Sequence, residues 1–421
     1  MLQTTQLPSG PLVVSEAVPG FGSVSIGAWV GVGSAHEPAA RSGLSHFIEH
    51  LVFKGTRRRT ARELAEAIED VGGQINAYTA KDYSCFYAKV RQPDIGIAVD
   101  VLGDMLTEST FTPDDVDRER GVVLDEIRLA EDDPGDVVHD LFCSTCWPTS
   151  PLGRPVSGTR LTVSAISQSE VVNFFRSHYG LGNLVVVAAG AVDHEQLIEL
   201  VERHFLGATA PAPAVLLDIP QPCFSPDFAY RARATEQVHL CLGSEALAID
   251  DPDVYTLEVA NVLIGGGASS RLFQEVREER GLAYDIYSYP SFHRRAGLFT
   301  VYAAASPDLA VEVAEIAIAE LRSLIATPPT EREVARARAQ LLASLTFGLE
   351  SSGSRAARIG KSQFYLGRVE TIEEAGDLIA RVTPADIQRL AGRLFSGRFA
   401  VAAVGAGEAE QPLADLFRRI G

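Results

Sequence analysis

Long apolar runs are missing from this chain. No stretch of its 421 residues approaches the ~18–20 consecutive apolar residues needed to span a bilayer, so no membrane association is expected. The segment Met1 to Gly10 has no basic stretch followed by an apolar core and no arginine-rich run. Neither a secretory leader nor a transit peptide is expected there, and cytoplasmic residence is the expected default. Positive charge is also scarce. Lys and Arg total 37 against 55 Asp and Glu, a formal net charge of −18. Binding phosphate needs a basic face, so nucleic acid is not expected as a main partner. An acidic field is compatible with cationic peptide ligands, although simple solubility accounts for it as well. Cysteines are few and odd in number: Cys85, Cys143, Cys146, Cys223 and Cys241. A disulfide framework is therefore not expected. Cys143 and Cys146 have Cys-x-x-Cys spacing, but the chain offers no second pair at zinc-knuckle spacing. They read as buried or half-buried thiols.

What is present first is an internal echo. The length suggests about two to four domains. The stretch from Gly207 to Cys223 carries Pro211, Pro213, Pro220 and Pro222 and reads as an extended linker near the middle. The alternating run Ser23–Ser34 is matched by Gln237–Ser244, and each is followed by a helix. Thr112-Pro113 and Thr330-Glu331 each open a long helix, the first with an N-cap and Pro at N1, the second with a capping box. Each half closes on a β-rich run, Asn183–Gly190 and Arg398–Gly405. The expected fold class is α+β, as two homologous domains of about 200 residues: 1–207, a linker 208–223, and 224–421.

The most specific local feature is His46-Phe47-Ile48-Glu49-His50. On a helix the two histidines stand one turn apart on one face, with Glu49 beside them. Two imidazoles can grip a divalent ion, and an adjacent carboxylate can handle the proton of a bound water. This is a metallopeptidase motif, inverted relative to His-Glu-x-x-His. An ordinary polar surface helix is the competing reading. It is weakened by the flanking Leu44, Phe47, Ile48, Leu51, Val52 and Phe53, an apolar setting that polar groups enter at a cost. Aligning Gly55 with Gly265 puts Thr256, Val259 and Ala260 where His46, Glu49 and His50 stand. The second half therefore lacks the motif, and the scaffold does not need it.

A catalytic zinc wants a third protein ligand. The helix expected over 113–130 offers Asp117, Glu119, Asp125 and Glu126. Glu119 and Glu126 are seven apart on one stripe, with Val122 and Val123 between them, so that stripe is expected to be buried. Glu119 also lacks a basic partner at i+4. A buried acid of this kind needs a cation or a donor.

Together these residues resemble the pitrilysin/insulinase family of zinc peptidases, in the branch of the mitochondrial processing peptidase β subunit and its bacterial relatives. The likeness covers nearly the whole chain. It is carried by Gly33-Ser34-Ala35-His36-Glu37, the His46–His50 motif with Phe53-Lys54-Gly55-Thr56, the acidic run Glu119–Glu126, and Pro151-Leu152-Gly153-Arg154-Pro155. The resemblance implies a LuxS/mitochondrial-processing-peptidase-like fold, each domain a mainly antiparallel sheet flanked by helices, the pair forming half of a clamshell. It implies one Zn²⁺ per chain on His46, His50 and Glu126, with Glu49 as general base and Glu119 tuning the site. It implies that Asn76 and Ala77, on an edge strand that otherwise reads as an ordinary hairpin, pair with substrate backbone. It implies that Arg277 and Tyr284 contact substrate and oxyanion, where they could otherwise be a helix-end ion pair and a core aromatic. It also implies a homodimer enclosing a chamber, in which peptides or unfolded segments are cut. A catalytically idle assembly subunit and a narrow-specificity processing peptidase are the alternatives.

Overall fold

The computed structural model describes residues 1–205 and 219–420. Most of the expected linker, 208–218, therefore lies outside the described residues. Two compact units emerge. The first comprises Met1–Arg128, Pro155–Ile219 and Phe347–Glu370, and the second Leu129–Arg154, Pro220–Thr346 and Thr371–Gly421.

The first unit holds a six-stranded sheet. Its strands are β1 (Leu2–Gln6), β2 (Leu12–Ala17), β3 (Ser23–Val30), β4 (Gln74–Thr79), β5 (Ser84–Arg91) and β6 (Leu184–Gly190). They lie in the order β1-β2-β6-β3-β5-β4. Only the β2–β6 pairing is parallel. The second unit holds β7 (Phe228–Ala232), β8 (Val238–Ala246), β9 (Ala283–Phe292), β10 (Gly297–Ala305) and β11 (Ala400–Gly405). Their order is β7-β11-β8-β10-β9, again with one parallel pairing, β7–β11. Setting aside β1, the two sheets have the same order and the same strand directions. The α+β class expected from the sequence is present, in two units with one sheet topology.

Period-two patterning explains the central strands. In β3, Val24, Ile26, Ala28 and Val30 enter the main core, while Trp29 points to the opposite face and a second apolar cluster. That opposite face is covered by the helix Ser352–Leu366, through Ala356 and Ile359. Ser25 Oγ and Ser352 Oγ lie 2.8 Å apart in the same layer. In β8, Val238, Leu240 and Leu242 feed the second unit's core. Cys241, on the other face, meets His139 at 3.4 Å. His139 belongs to the helix Pro134–Cys146. Each sheet is thus buried on both faces, and its second cover is a helix from the other half of the sequence.

All five cysteines are free. Cys146 and Cys241 are buried, and burial pushes both thiols well above their ordinary range. No helix among the described residues is long and apolar enough to cross a membrane.

Candidate metal centre

The histidine motif occupies a short helix, α1 (Leu44–Leu51). Its N-cap is Gly43, with φ of 96°, so no cap side chain is present. Glu37 takes that role from a distance. Its carboxylate accepts from Gly43 N at 2.7 Å and Ser45 N at 2.6 Å, and the residue is buried. A negative charge on the first free N–H groups of a helix satisfies them and complements the helix dipole. Leu44, Phe47, Ile48 and Leu51 turn into the core. His46 and His50 are left on the other face, ring centroids 4.7 Å apart.

The helix Ala61–Glu69 follows (α2), then Ile95–Glu108 (α3), then Pro113–Asp132 (α4). Helix α4 starts as the sequence indicated, with Thr112 Oγ1 accepting from Asp115 N. Arg120 fastens α4 near the motif. Its guanidinium donates to Val163 O and Ile166 O and lies 5.7 Å from the Phe47 ring centre. The buried stripe of α4 runs through Val116, Glu119, Val123 and Ile127. Val122 is 48% exposed and the Glu126 side chain 51% exposed. The expectation of a buried stripe holding both acids therefore needs correction. At ~100° per residue, Glu126 is rotated about 20° and Val122 about 60° from Glu119, in each case away from the core.

His46, His50 and Glu126 converge, with one ligand atom from each lying within 4.8 Å of the others. Among the described residues no other cluster of His, Cys, Asp and Glu does so. Glu126 Oε1 is 3.8 Å from His46 Nε2, and its Oε2 is 3.3 Å from His50 Nε2. Burial, then the neighbouring His50, lowers the His46 pKa to about 4, so that ring is neutral near pH 7. Burial also lowers that of His50, but contacts with Glu119 and Glu126 outweigh it and the net shift is upward. His50 Nδ1 lies 2.9 Å from Glu119 Oε1. That contact leaves Nε2 facing Glu126 and the open side of the site. Two nitrogens and a carboxylate, one histidine braced behind by a second carboxylate, match the donor set and outer support of a catalytic zinc site.

Glu49 is raised by burial, an effect that a hydrogen bond from Thr79 opposes. Thr79 Oγ1 donates to its Oε2 at 2.6 Å. Glu119 is pushed up by burial, yet bonds from His50 and Lys54 outweigh this and hold it below its ordinary value. Lys54 Nζ is 2.8 Å from Glu119 Oε2. Glu119 has no basic partner at i+4, as the sequence shows, but it has one from outside its helix. Counting i+4 neighbours tests only the residue's own helix, and the partner comes from the turn after α1. Sequence reasoning gave neither Lys54 nor Thr79 a role at the site. Their signals were a basic residue directly after the motif helix and a threonine ending the edge strand.

Asn76 and Ala77 lie on β4, which is an edge strand. Asn76 is exposed, and its Oδ1 accepts from Ala77 N at 2.8 Å. Arg277 and Tyr284 stand together in the second unit. Arg277 Nη1 donates to Tyr284 O at 3.0 Å, and its guanidinium lies 4.2 Å from the Tyr284 ring centre. Tyr284 sits in a bulge, since Ala305 pairs with Ala283 and Ala304 with Asp285. Bulges re-aim side chains, and this one is 70% exposed rather than a core aromatic. In the second copy of the motif helix, Thr256, Val259 and Ala260 are buried in Val254–Gly265.

Family comparison agrees with this layout. Residues 12–160 match the insulinase (peptidase family M16) model, and residues 165–341 match the M16 inactive domain model. An uncharacterized zinc protease of Streptomyces coelicolor is 42% identical, covering 96% of this chain and 89% of its own length. The uncharacterized zinc protease YmxG of Bacillus subtilis is 36% identical, covering 96% and 98%. A protease from Helicobacter pylori has the same fold, with a TM-score of 0.91 at 21% identity, covering 96% and 99%. Duplicated sheets, a motif kept in one copy and lost in the other, and full-length relatives agree: the chain belongs to the M16 (insulinase) peptidase family.

Proposed function

We propose that this chain is a zinc endopeptidase that cuts peptides or unfolded segments. The observation that carries this reading is the convergence of His46, His50 and Glu126 beside Glu49. Those three residues would hold one zinc ion, which supplies Lewis acidity and lowers the pKa of a bound water. The chain's own residues do the rest. Glu119 keeps the Nδ1 proton of His50 directed backward, leaving Nε2 as a donor atom. Thr79 occupies Glu49 Oε2, so Oε1 is the atom left to take a proton from the attacking water and return it to the leaving amine. The free edge of β4 at Asn76 and Ala77 suits an extended peptide, whose main chain would add as a further strand. Main-chain recognition tolerates many sequences.

Arg277 and Tyr284 complete the proposal. The exposed phenol is suited to donate to an oxyanion and the guanidinium to a substrate carbonyl. We assign this pair to the zinc site of a second copy, so that the working form is a homodimer.

Glu49→Gln tests the core of the reading. It keeps shape and removes the base, so zinc content should be unchanged while peptide cleavage falls by about 10²–10⁴-fold. Wild-type cleavage in that variant would refute the mechanism. Wild-type protein that binds no zinc would refute the site.

A further inference from the structure

Glu119 has two carboxylate oxygens and only one histidine to orient. Its side chain is 4% exposed, so each oxygen needs a partner. Oε1 faces His50 Nδ1 at 2.9 Å, and Oε2 faces Lys54 Nζ at 2.8 Å. We infer that Lys54 is a positioning residue for the metal centre, its ammonium fixing the Glu119 carboxylate and, through it, the ring orientation and tautomer of His50. This rests on the reading of His46, His50 and Glu126 as a zinc site. Outer partners of a ligating histidine govern metal affinity because they set where the donor lone pair points. The chain Lys54–Glu119–His50 is such an arrangement, extended by one residue. Among the described residues His46 has no matching arm, and its Nδ1 is buried without a partner there. Preorganisation of the centre therefore falls mainly on His50.

An ordinary surface ion pair would not serve, since such pairs contribute little and hold no fixed geometry. Here the carboxylate is buried, and the lysine's own backbone is fastened. Lys54 N donates to Leu51 O at 3.0 Å, closing the turn that ends α1. Gly55 follows with φ of 138°, a conformation side-chain-bearing residues rarely adopt. Thr56 N then donates to Arg59 O at 2.8 Å. The run Arg57-Arg58-Arg59 faces α3, and Arg59, with a side chain 20% exposed, is its best-shielded member. Arg57 pairs with Glu108, Arg58 with Asp100, and Arg59 with Asp100 and Asp104. Asp104 is fully buried and also accepts from Thr56 Oγ1 at 3.0 Å. The chain leaving α1 is therefore held on both sides of Lys54, which limits where the ammonium can go.

The test is zinc affinity, measured on the full chain by competition with a chromophoric chelator. The proteins are wild type, Lys54→Met, Lys54→Arg, Glu119→Gln and the double variant Lys54→Met with Glu119→Gln. Lys54→Met should weaken zinc binding about tenfold, the lower end of the range for outer partners. Lys54→Arg should restore most of it. In the Glu119→Gln background, Lys54→Met should add nothing, because the lysine acts through that carboxylate. Unchanged affinity in Lys54→Met would overturn the inference, as would full additivity in the double variant. Circular dichroism and a melting curve of the metal-free proteins establish folding. Should Lys54→Met not fold, Lys54→Gln takes its place, with the same weakening expected. Wild type that fails to bind zinc would refute the zinc-site reading itself. Tight zinc binding by wild type with equal binding by the Lys54 variants would refute only the role of Lys54.

Discussion

Glu49 has one oxygen spoken for. Thr79 donates to Oε2, which leaves the carboxylate a single orientation from which to work. A hydrogen bond to a charged group contributes about 1.5–3 kcal/mol, equivalent to about tenfold to a hundredfold in rate if it is needed in the transition state. Thr79→Val keeps the shape and removes the donor. Cleavage should fall by about that factor, zinc content should stay at the wild-type level, and Thr79→Ser should recover most of the rate. A Thr79→Val enzyme of full activity would show that packing alone aims Glu49. Residue by residue, legibility followed sequence separation. His46, Glu49 and His50 share one helical turn, so spacing alone revealed them. Glu126 emerged from the resemblance, because a shared stripe on one helix could not choose between Glu119 and Glu126. Lys54 and Thr79 stayed hidden, because their partners lie 65 and 30 residues away.

Elements followed their end signals. Thr330 with Glu333 was readable as a capping box, and the structure has both reciprocal bonds, at 2.8 and 3.3 Å. What the sequence did not show is that Arg271 Nε also reaches Glu333 Oε1 at 2.8 Å. Burial pushes this carboxyl up, but Arg271 and the Thr330 cap outweigh it and lower its pKa to about 2. A depressed folded-state pKa has a definite sign. Stability is fully present above the ordinary value of 4.5 and is lost as pH falls toward about 2. Glu333→Gln should therefore melt below wild type at pH 7, and the gap should narrow steadily between pH 4.5 and pH 2. A gap that does not depend on pH would assign the loss to packing instead. Helix α1 makes the opposite case. Its N-terminus has no local cap signal, since Gly43 has no side chain and the capping carboxylate, Glu37, lies outside the usual pattern. Local capping rules describe helices whose ends are closed by adjacent residues, and this one is closed through a loop.

For the whole molecule, duplication organises everything. One copy of the motif helix carries His46, Glu49 and His50, while the other carries Thr256, Val259 and Ala260, all three buried. The second copy instead presents Arg277 and an exposed Tyr284. Working in trans is a prediction with a direct readout. Glu49→Gln and Tyr284→Phe homodimers should each be weak. Mixed after subunit exchange, the two should regain activity, because each mixed dimer contains one intact zinc site faced by one intact Tyr284. A size-exclusion mass of a monomer, or no recovery on mixing, would refute the dimeric arrangement. The sequence by itself determined the duplication, the α+β class and the paired imidazoles, since each is written in periodicity or in spacing within one turn. Tertiary structure alone decided which helix covers the second face of each sheet, that α4 sets Glu126 before both histidines and Glu119 behind His50, and that Lys54 and Thr79 brace the site. Those outcomes depend on contacts between segments far apart in the chain, and side-chain periodicity has no means of recording which distant segment will arrive.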